Sequence, residues 1–299
     1  MDFTPAETAA CCRLIEMALR EDFGESPWHT FRDITTAFYV TPGCFGTAAF
    51  VARKSGVIAG LPAAALVCGA VDPQLRFEPM LQDGQAVKPG DVLAHLHGYI
   101  SSILGAERTA LNFLQHLSGI ASLTHQFAQA VAGLPVKILD TRKTIPGWRL
   151  LAKYAVRQGG GHNHRMGLYD GFLIKDNHLA FSATRFKEGI AGLLQNARTE
   201  SCVWANSIPV EIEVDTLEQL NESLPAKPDI VLLDNMTLDQ LRAAVARRNA
   251  VAPGVVLEAS GGVNLQTVRG IAETGVDRIS VGALTHSAPA LDIALDYLQ

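Results

Sequence analysis

Residues 209–234 read PVEIEVDTLEQLNESLPAKPDIVLLD: an apolar run, an amphipathic stretch and a second apolar run. The two runs have the length and branched content of buried strands, and residues 216–223 between them have helical spacing. Further strand-like runs with the same rhythm lie at 136–140, 172–174, 255–260 and 277–282. Strands that alternate with helices form parallel sheets, so this half of the chain is predicted to be a TIM-like α/β barrel.

The predicted barrel is shorter than a complete one. About six strand–helix units fit into roughly 150 residues between 136 and 286, whereas an eightfold barrel needs about 250 residues. We therefore expect a barrel that is incomplete or that borrows a strand from nearby.

The N-terminal part has a different pattern. Residues 5–20 are typical of an amphipathic helix, and residues 34–98 alternate short β-rich runs with glycine and proline turns, which indicates an α+β domain. A helical pattern over 103–131 is interrupted at Ser118–Gly119, where we place the domain boundary. The predicted domains are 1–117, 118–286 for the barrel, and a C-terminal helix over 287–299 that packs back on the N-terminal domain.

Composition narrows the class of protein. The 299 residues are 48% hydrophobic and 18% charged, which excludes a disordered chain, and the net charge of −5 argues against a general nucleic-acid binder. The longest apolar stretch is too short to span a membrane, and Asp2 and Glu7 precede any basic residue, unlike a secretory signal. Five cysteines without a CxxC pair are expected to be reduced. We expect a cytoplasmic protein.

One segment is basic although the whole chain has a net negative charge. Residues 141–178 contain seven lysines and arginines, three histidines and only two acids. These charges flank GGG at 159–161, and two of the basic groups end strand-like runs. Arginine binds carboxylates and phosphates through two parallel hydrogen bonds, so the segment is predicted to bind a polyanion rather than to form a solvated basic face.

Acids and glycines follow the later strands. Glu213 and Asp234 each stand at a strand end, and two carboxylates facing a cationic pocket suit a Mg²⁺ ion shared with phosphate oxygens. Gly261, Gly262 and Gly282 suit phosphate binding by backbone N–H groups after the last strands. The residues alone predict a Mg²⁺-dependent enzyme acting on a phosphorylated sugar and a small carboxylated partner.

Several motifs together resemble the quinolinate phosphoribosyltransferase family in the expected order. They are GAERTALNFLQHLSGIAS (105–122), DTRKTIPGWR (140–149), GGGHNHRMGLYDGFLIKDNH (159–178), EIEVDTLEQL (211–220), IVLLDNM (230–236) and LEASGGV (257–263). The resemblance implies an N-terminal open-faced α/β sandwich followed by a barrel of about seven strands. It also implies transfer of phosphoribosyl from phosphoribosyl pyrophosphate to quinolinate, with loss of CO2 and release of pyrophosphate.

The resemblance also assigns roles to residues. Quinolinate is expected to meet Thr141, Arg142, His164, Arg165, Lys175 and, from the neighbouring subunit of a homodimer, Arg108. Phosphoribosyl pyrophosphate is expected to meet Lys143, Glu213, Asp234, Ser260, Gly261, Gly262, Gly282 and His286. The catalytic set is Lys143, Lys175, Glu213 and Asp234, the last two of which are expected to bind Mg²⁺. Two places depart from the family pattern: His162, and HTFRDITT at 29–36.

Other interpretations stay open at this point. A homologous phosphoribosyltransferase of the molybdenum-transport-associated type, or one specific for nicotinate, shares much of the pattern. Lys175 at a strand end also fits a Schiff-base aldolase. The stretch DGQAVKPGDVLAHLHG (83–98) resembles part of a biotinyl or lipoyl carrier domain, although a turn between two strands explains it as well.

Overall fold

The computed structural model describes residues 3–24, 33–182, 189–203 and 208–298. It divides into two compact units. The first is formed by residues 1–125, 144–160 and 284–299, and the second by residues 126–143 and 161–283. Part of the departing segment HTFRDITT, residues 29–32, lies outside the described residues.

The strands of the first unit are β1 (Phe45–Ala52), β2 (Gly56–Val57), β3 (Arg76–Pro79), β4 (Ala86–Val87), β5 (Val92–Tyr99) and β12 (Ile293–Leu298). Four of them form an antiparallel sheet with the order β12-β1-β5-β3. The other two, β2 and β4, pair as a two-stranded ribbon. The helices of the first unit are α1 (Pro5–Phe23), α2 (Ile34–Tyr39), α3 (Leu61–Val71), most of α4 (Ile100–Ala130) and α5 (Arg149–Gln158).

The start of α1 follows from local sequence. Thr4 accepts a hydrogen bond from the backbone N–H of Glu7, and the Glu7 carboxylate accepts one from the backbone N–H of Thr4. This capping box satisfies two N–H groups that a helix end leaves open, and Pro5 supplies a preset φ at the first helical position. Arg157 of α5 also donates to Glu7, so the cap is tied to a second helix.

The predicted interruption at Ser118–Gly119 is wrong, because α4 runs through both residues. The Ser118 hydroxyl bonds the backbone N–H and carbonyl of Ala59. A Cβ added to Gly119 would lie 2.2 Å from the carbonyl oxygen of Pro289. The pair therefore marks a close approach of other backbone to the helix, not its end.

The predicted C-terminal helix is also wrong. Residues 293–298 form β12, which pairs antiparallel with β1 from Thr47↔Leu298 to Ala52↔Ile293. A helix of this length has almost no intrinsic stability, whereas the strand satisfies the open edge of β1. The expectation that the segment joins the N-terminal unit agrees with this pairing.

The strands of the second unit are β6 (Lys137–Leu139), β7 (Phe172–Ile174), β8 (Val210–Val214), β9 (Ile230–Asp234), β10 (Val256–Ser260) and β11 (Arg278–Ser280). They form a parallel sheet with the order β6-β11-β10-β9-β8-β7. A parallel bridge between Leu139 and His162 adds a further segment beside β6, and His162 thereby belongs to the sheet edge. The predicted class, an α/β barrel after an N-terminal α/β domain, is confirmed.

Helices connect the barrel strands. They are α6 (Asp176–Ser182), α7 (Gly189–Val203), α8 (Leu217–Ser223), α9 (Leu238–Val251), α10 (Val268–Ala272) and α11 (Ala283–His286), and a short 3-10 turn spans Leu224–Ala226. Thr237 begins α9 with a second capping box to Gln240. Within the described ranges, no helix is both long enough and apolar enough to cross a bilayer.

Candidate active site

A cavity of about 440 Å³ opens at the carboxyl ends of the barrel strands. Parallel βα units gather at this end the residues that follow each strand, which is where barrel enzymes carry their chemistry. The cavity is lined by Thr141, Arg142, Lys143, His164, Arg165, Leu173, Lys175, Glu213, Leu232, Asp234, Ser260 and Ser280. Nine of these twelve are residues that the sequence predicted for the site.

Five predicted residues stand outside that lining. Gly261 and Gly262 directly follow Ser260, and Gly282 follows β11, so all three are at the same end of the sheet. Arg108, which is exposed on α4, and His286 of α11 belong to the first compact unit.

A larger hollow of about 980 Å³ lies at the opposite end of the strands. Its lining includes the residues that begin β8, β9, β10 and β11. Its charged lining residues are Arg198, Lys227, Asp229 and Arg278, and none of them follows the carboxyl end of a barrel strand. The chemistry-bearing residues therefore mark the 440 Å³ cavity as the site.

Opposite charges meet inside the cavity. The Lys175 ammonium, at the end of β7, donates to the Glu213 carboxylate on the neighbouring strand β8. Asp234 ends β9, and its Oδ2 accepts from the Asn235 side chain at 2.7 Å. Two carboxylates on adjacent strands thus stand among cationic groups, a donor set of hard oxygens that suits Mg²⁺.

His164 connects the cavity to a buried acidic pair. Its Nδ1 accepts the backbone N–H of Arg165 at 2.8 Å. Its Nε2 lies 3.3 Å from Oε2 of Glu211 and 3.4 Å from Oε1 of Glu258. Asp140 supports the same segment, because it accepts from the backbone N–H of His164 and from the Asn163 side chain.

The acidic pair shifts the pKa of His164. Burial by itself lowers the pKa of His164, but hydrogen bonds and charge from Glu211 and Glu258 outweigh it and raise the pKa to about 10. Burial also raises the pKa of the Glu211 carboxyl. The ring therefore holds the Arg165 backbone on its Nδ1 edge and faces the two acids with its Nε2 edge.

Three metal-type ligand atoms meet in that cluster. One atom each of His164, Glu211 and Glu258 lies within 4.8 Å of the others. The two carboxylates of this cluster are buried beneath the cavity. Glu213 and Asp234, which face the cavity, are the better candidates for Mg²⁺.

Arg165 is fixed in place from two directions. Its backbone N–H bonds His164, and its Nη1 donates to the carbonyl of Gly171 at 2.9 Å. Burial and the nearby Arg142 guanidinium lower the pKa of Arg165 from its usual value, although a guanidinium stays charged at neutral pH. Two crowded guanidinium groups in a partly buried cavity need an anionic ligand.

Sequence analysis missed Glu211 and Glu258 as members of the site. The spacing along each strand could have identified both residues, because every second residue of a strand faces the same side. Glu211 precedes Glu213 by two residues on β8, and Glu258 precedes Ser260 by two on β10. The same face that delivers a site residue at the strand end therefore carries a carboxylate one layer deeper.

Comparisons with known proteins identify the family of this chain. The model described as "Quinolinate phosphoribosyl transferase, C-terminal domain" matches residues 120–296, and that of the N-terminal domain matches residues 33–118. The chain belongs to the quinolinate phosphoribosyltransferase family.

Relatives and solved structures of the family extend over nearly the whole chain. The Mycobacterium leprae (strain TN) nicotinate-nucleotide pyrophosphorylase [carboxylating] is 45% identical over 266 residues, which cover 88% of this chain and 90% of that protein. A Synechocystis relative, named as a probable nicotinate-nucleotide pyrophosphorylase [carboxylating], is 38% identical over 285 residues. The matched region covers 95% of this chain and 92% of the relative. The Francisella tularensis nicotinate-nucleotide pyrophosphorylase structure superimposes with a TM-score of 0.88 at 38% identity and covers 99% and 98% of the two chains.

Family membership decides among the open interpretations. A quinolinate phosphoribosyltransferase is neither a Schiff-base aldolase nor a carrier domain, so those two alternatives are wrong. The curated relatives carry the name of the carboxylating pyrophosphorylase. The recognition drawn from the sequence motifs is confirmed.

Proposed function

We propose that the 440 Å³ cavity transfers phosphoribosyl from phosphoribosyl pyrophosphate to quinolinate. The products are nicotinate mononucleotide, pyrophosphate and CO2. The single observation that carries this assignment is that Arg142, Arg165 and Lys175 line one cavity with Glu213 and Asp234. A dianionic acceptor and a polyphosphate donor need such a combination of cations and metal-binding carboxylates.

The quinolinate side of the site is the cationic wall. Arg142 and Arg165 face the two carboxylates of the substrate, and Thr141 and His164 complete the wall. A charge-assisted contact to each carboxylate fixes the pyridine nitrogen toward the sugar, and such orientation contributes about 7–11 kcal/mol in well-arranged reactions.

The donor side is the acidic wall and the loops that follow β10 and β11. Lys143 faces the pyrophosphate, and Ser260, Gly261, Gly262, Gly282 and His286 face the 5′-phosphate. We assign Mg²⁺ to Glu213 and Asp234, where a bound ion would neutralise charge on the pyrophosphate. Lys175, already against Glu213, stands where the two substrates meet.

Positioning and electrostatics account for the chemistry. The pyridine nitrogen attacks the anomeric carbon as the bond to pyrophosphate breaks, and Lys143 stabilises the negative charge on the leaving group. The alkylated ring nitrogen is then cationic, and its positive charge stabilises the electron pair that stays on C2 when the 2-carboxylate departs as CO2. The ylide that remains takes up a proton from water, so no side-chain nucleophile is required.

We further propose that the protein acts as a homodimer in which Arg108 completes the quinolinate pocket of the neighbouring subunit. Arg108 and Leu104 share an exposed face of α4 at i, i+4 spacing. Ile34, Phe38 and Tyr39 of α2 are 81%, 83% and 81% exposed, an apolar surface that a subunit interface would cover. Five unpaired cysteines accord with a cytoplasmic location.

The test is a direct assay of the purified protein. Quinolinate, phosphoribosyl pyrophosphate and Mg²⁺ are supplied, and pyrophosphate and CO2 are measured together. We expect equal amounts of both products and none when quinolinate is replaced by nicotinate. Turnover of nicotinate without CO2 would instead assign the nicotinate-specific reaction.

A further inference from the structure

Two buried carboxylates lie beneath the cavity and have no place in the reaction described above. The side chain of Glu258 is fully buried and that of Glu211 is 4% exposed. Oε1 of Glu211 and Oε2 of Glu258 lack a hydrogen-bond partner among the described residues, and Oε1 of Glu258 has only His164 Nε2, at 3.4 Å. Burying a carboxylate costs several kcal/mol, so a pair of them in a barrel core requires a compensating role.

The groups around this pair point to His164. Its Nε2 approaches both carboxylates, at 3.3 and 3.4 Å. The positive charge of Arg278 also acts on Glu211, where it works to lower the pKa of the carboxyl. The imidazole is therefore the group whose place in the structure the two acids determine directly.

The opposite edge of the imidazole holds the backbone of a cavity residue. Nδ1 accepts the Arg165 N–H at 2.8 Å, and the Arg165 guanidinium reaches the cavity with Nη1 on the Gly171 carbonyl. A planar ring thus bridges the buried acids and the backbone that carries the guanidinium. Rotation of the ring would release the Arg165 N–H at once.

We infer that Glu211 and Glu258 are positioning residues that act through the His164 ring to fix Arg165 against the carboxylated substrate. The inference rests on the proposed function, since it names Arg165 as a quinolinate contact. The two acids touch neither substrate. Their effect should therefore appear in quinolinate recognition and be absent from phosphoribosyl pyrophosphate recognition.

The two sides of the ring can be tested separately. His164→Asn keeps an acceptor near the Nδ1 position but does not reach the acids, whereas His164→Gln reaches the acids but lacks that acceptor. Both substitutions should raise the KM for quinolinate if the whole relay is needed. A KM for quinolinate that is unchanged in either variant would overturn the inference.

The acids themselves are tested with the double variant Glu211→Gln/Glu258→Gln, which removes both carboxylates and keeps the size of the two side chains. We expect the KM for quinolinate to rise tenfold or more, with the KM for phosphoribosyl pyrophosphate within twofold of wild type. The Tm should stay equal or rise, since buried charge is removed. A lower Tm with both KM values raised would mean a purely structural role and overturn the inference. Glu222→Gln, on the exposed surface of α8, is the matched control.

A double-mutant cycle identifies the route. The double-glutamine change is combined with Arg165→Ala, and kcat/KM for quinolinate is measured in all four proteins. The glutamine effect should disappear in the Arg165→Ala background if the acids act through Arg165. Full additivity would overturn the inference. Wild-type protein that fails to turn over quinolinate at all would refute the proposed function instead, before any variant is compared.

Discussion

Replacing Gly261 by alanine should damage the donor side of the site selectively. Gly261 has φ of +95°, which L residues rarely adopt. A Cβ there would lie 2.1 Å from Oδ1 of Asn235 and 2.9 Å from its backbone nitrogen. Asn235 in turn donates to Asp234 Oδ2 and to the Ser260 carbonyl, so its displacement moves a proposed metal ligand.

The size of the effect follows from two contributions. Holding an alanine at this φ costs about 1–2 kcal/mol, and relieving a contact with backbone costs about 1–3 kcal/mol more. The matched control is Gly262→Ala, where φ is +62° and a Cβ meets no atom within 4 Å. That control carries the same backbone cost of about 1–2 kcal/mol without the contact.

The comparison uses thermal unfolding and steady-state kinetics. The free energy of unfolding should be about 1–3 kcal/mol smaller for Gly261→Ala than for Gly262→Ala, which corresponds to a Tm lower by several degrees. The KM for phosphoribosyl pyrophosphate should rise at least tenfold in Gly261→Ala and less in Gly262→Ala, which also faces the proposed 5′-phosphate, while the KM for quinolinate stays near wild type in both. Equal behaviour of the two variants would refute the reasoning from the Asn235 contact.

Further expectations follow from other contacts. Arg142→Ala should lose about 2–4 kcal/mol of quinolinate binding with the fold intact, and unchanged affinity would contradict its assignment. EDTA should abolish turnover and Mg²⁺ restore it; full activity in metal-free buffer would exclude the metal. Inactive Arg108→Ala and Lys175→Ala, co-expressed, should regain about a quarter of the sites through mixed dimers; no gain would assign Arg108 to its own subunit. Burial raises the pKa of Glu7, but hydrogen bonds from Thr4 and Arg157 lower it overall. The stability it adds is present above its unfolded pKa and lost as pH falls through the folded one. Glu7→Gln should therefore lower Tm at neutral pH, and the deficit should vanish in acid; a deficit independent of pH would contradict this.

The barrel and most of its cavity were predictable because their signals are local. A polar residue stands at the end of each barrel strand or within one residue of it, and parallel topology then gathers those residues at one edge. Arg142, Lys175, Glu213 and Asp234 needed no knowledge of distant contacts to be placed together. The alternation of short apolar runs and helical spacing was sufficient.

The failures all involve contacts between distant parts of the chain. Gly119 has the character of a helix breaker, yet it permits the close approach of Pro289, which no local pattern reveals. The strand at 293–298 is too short for a clear period, and its partner β1 lies at the other end of the sequence. Glu211 and Glu258 acquire meaning only once His164 is known to stand between them.

The pairing of β12 with β1 has a consequence for biosynthesis. The first unit is made from three stretches of chain, and the last arrives only after the whole second unit has left the ribosome. Until then β1 has an open edge, with its buried alanines and Phe50 available to other nascent chains. The sheet therefore closes late, and a ribosome that stalls in the barrel would release an aggregation-prone fragment. Expression of residues 33–118 alone would produce the same unfinished sheet.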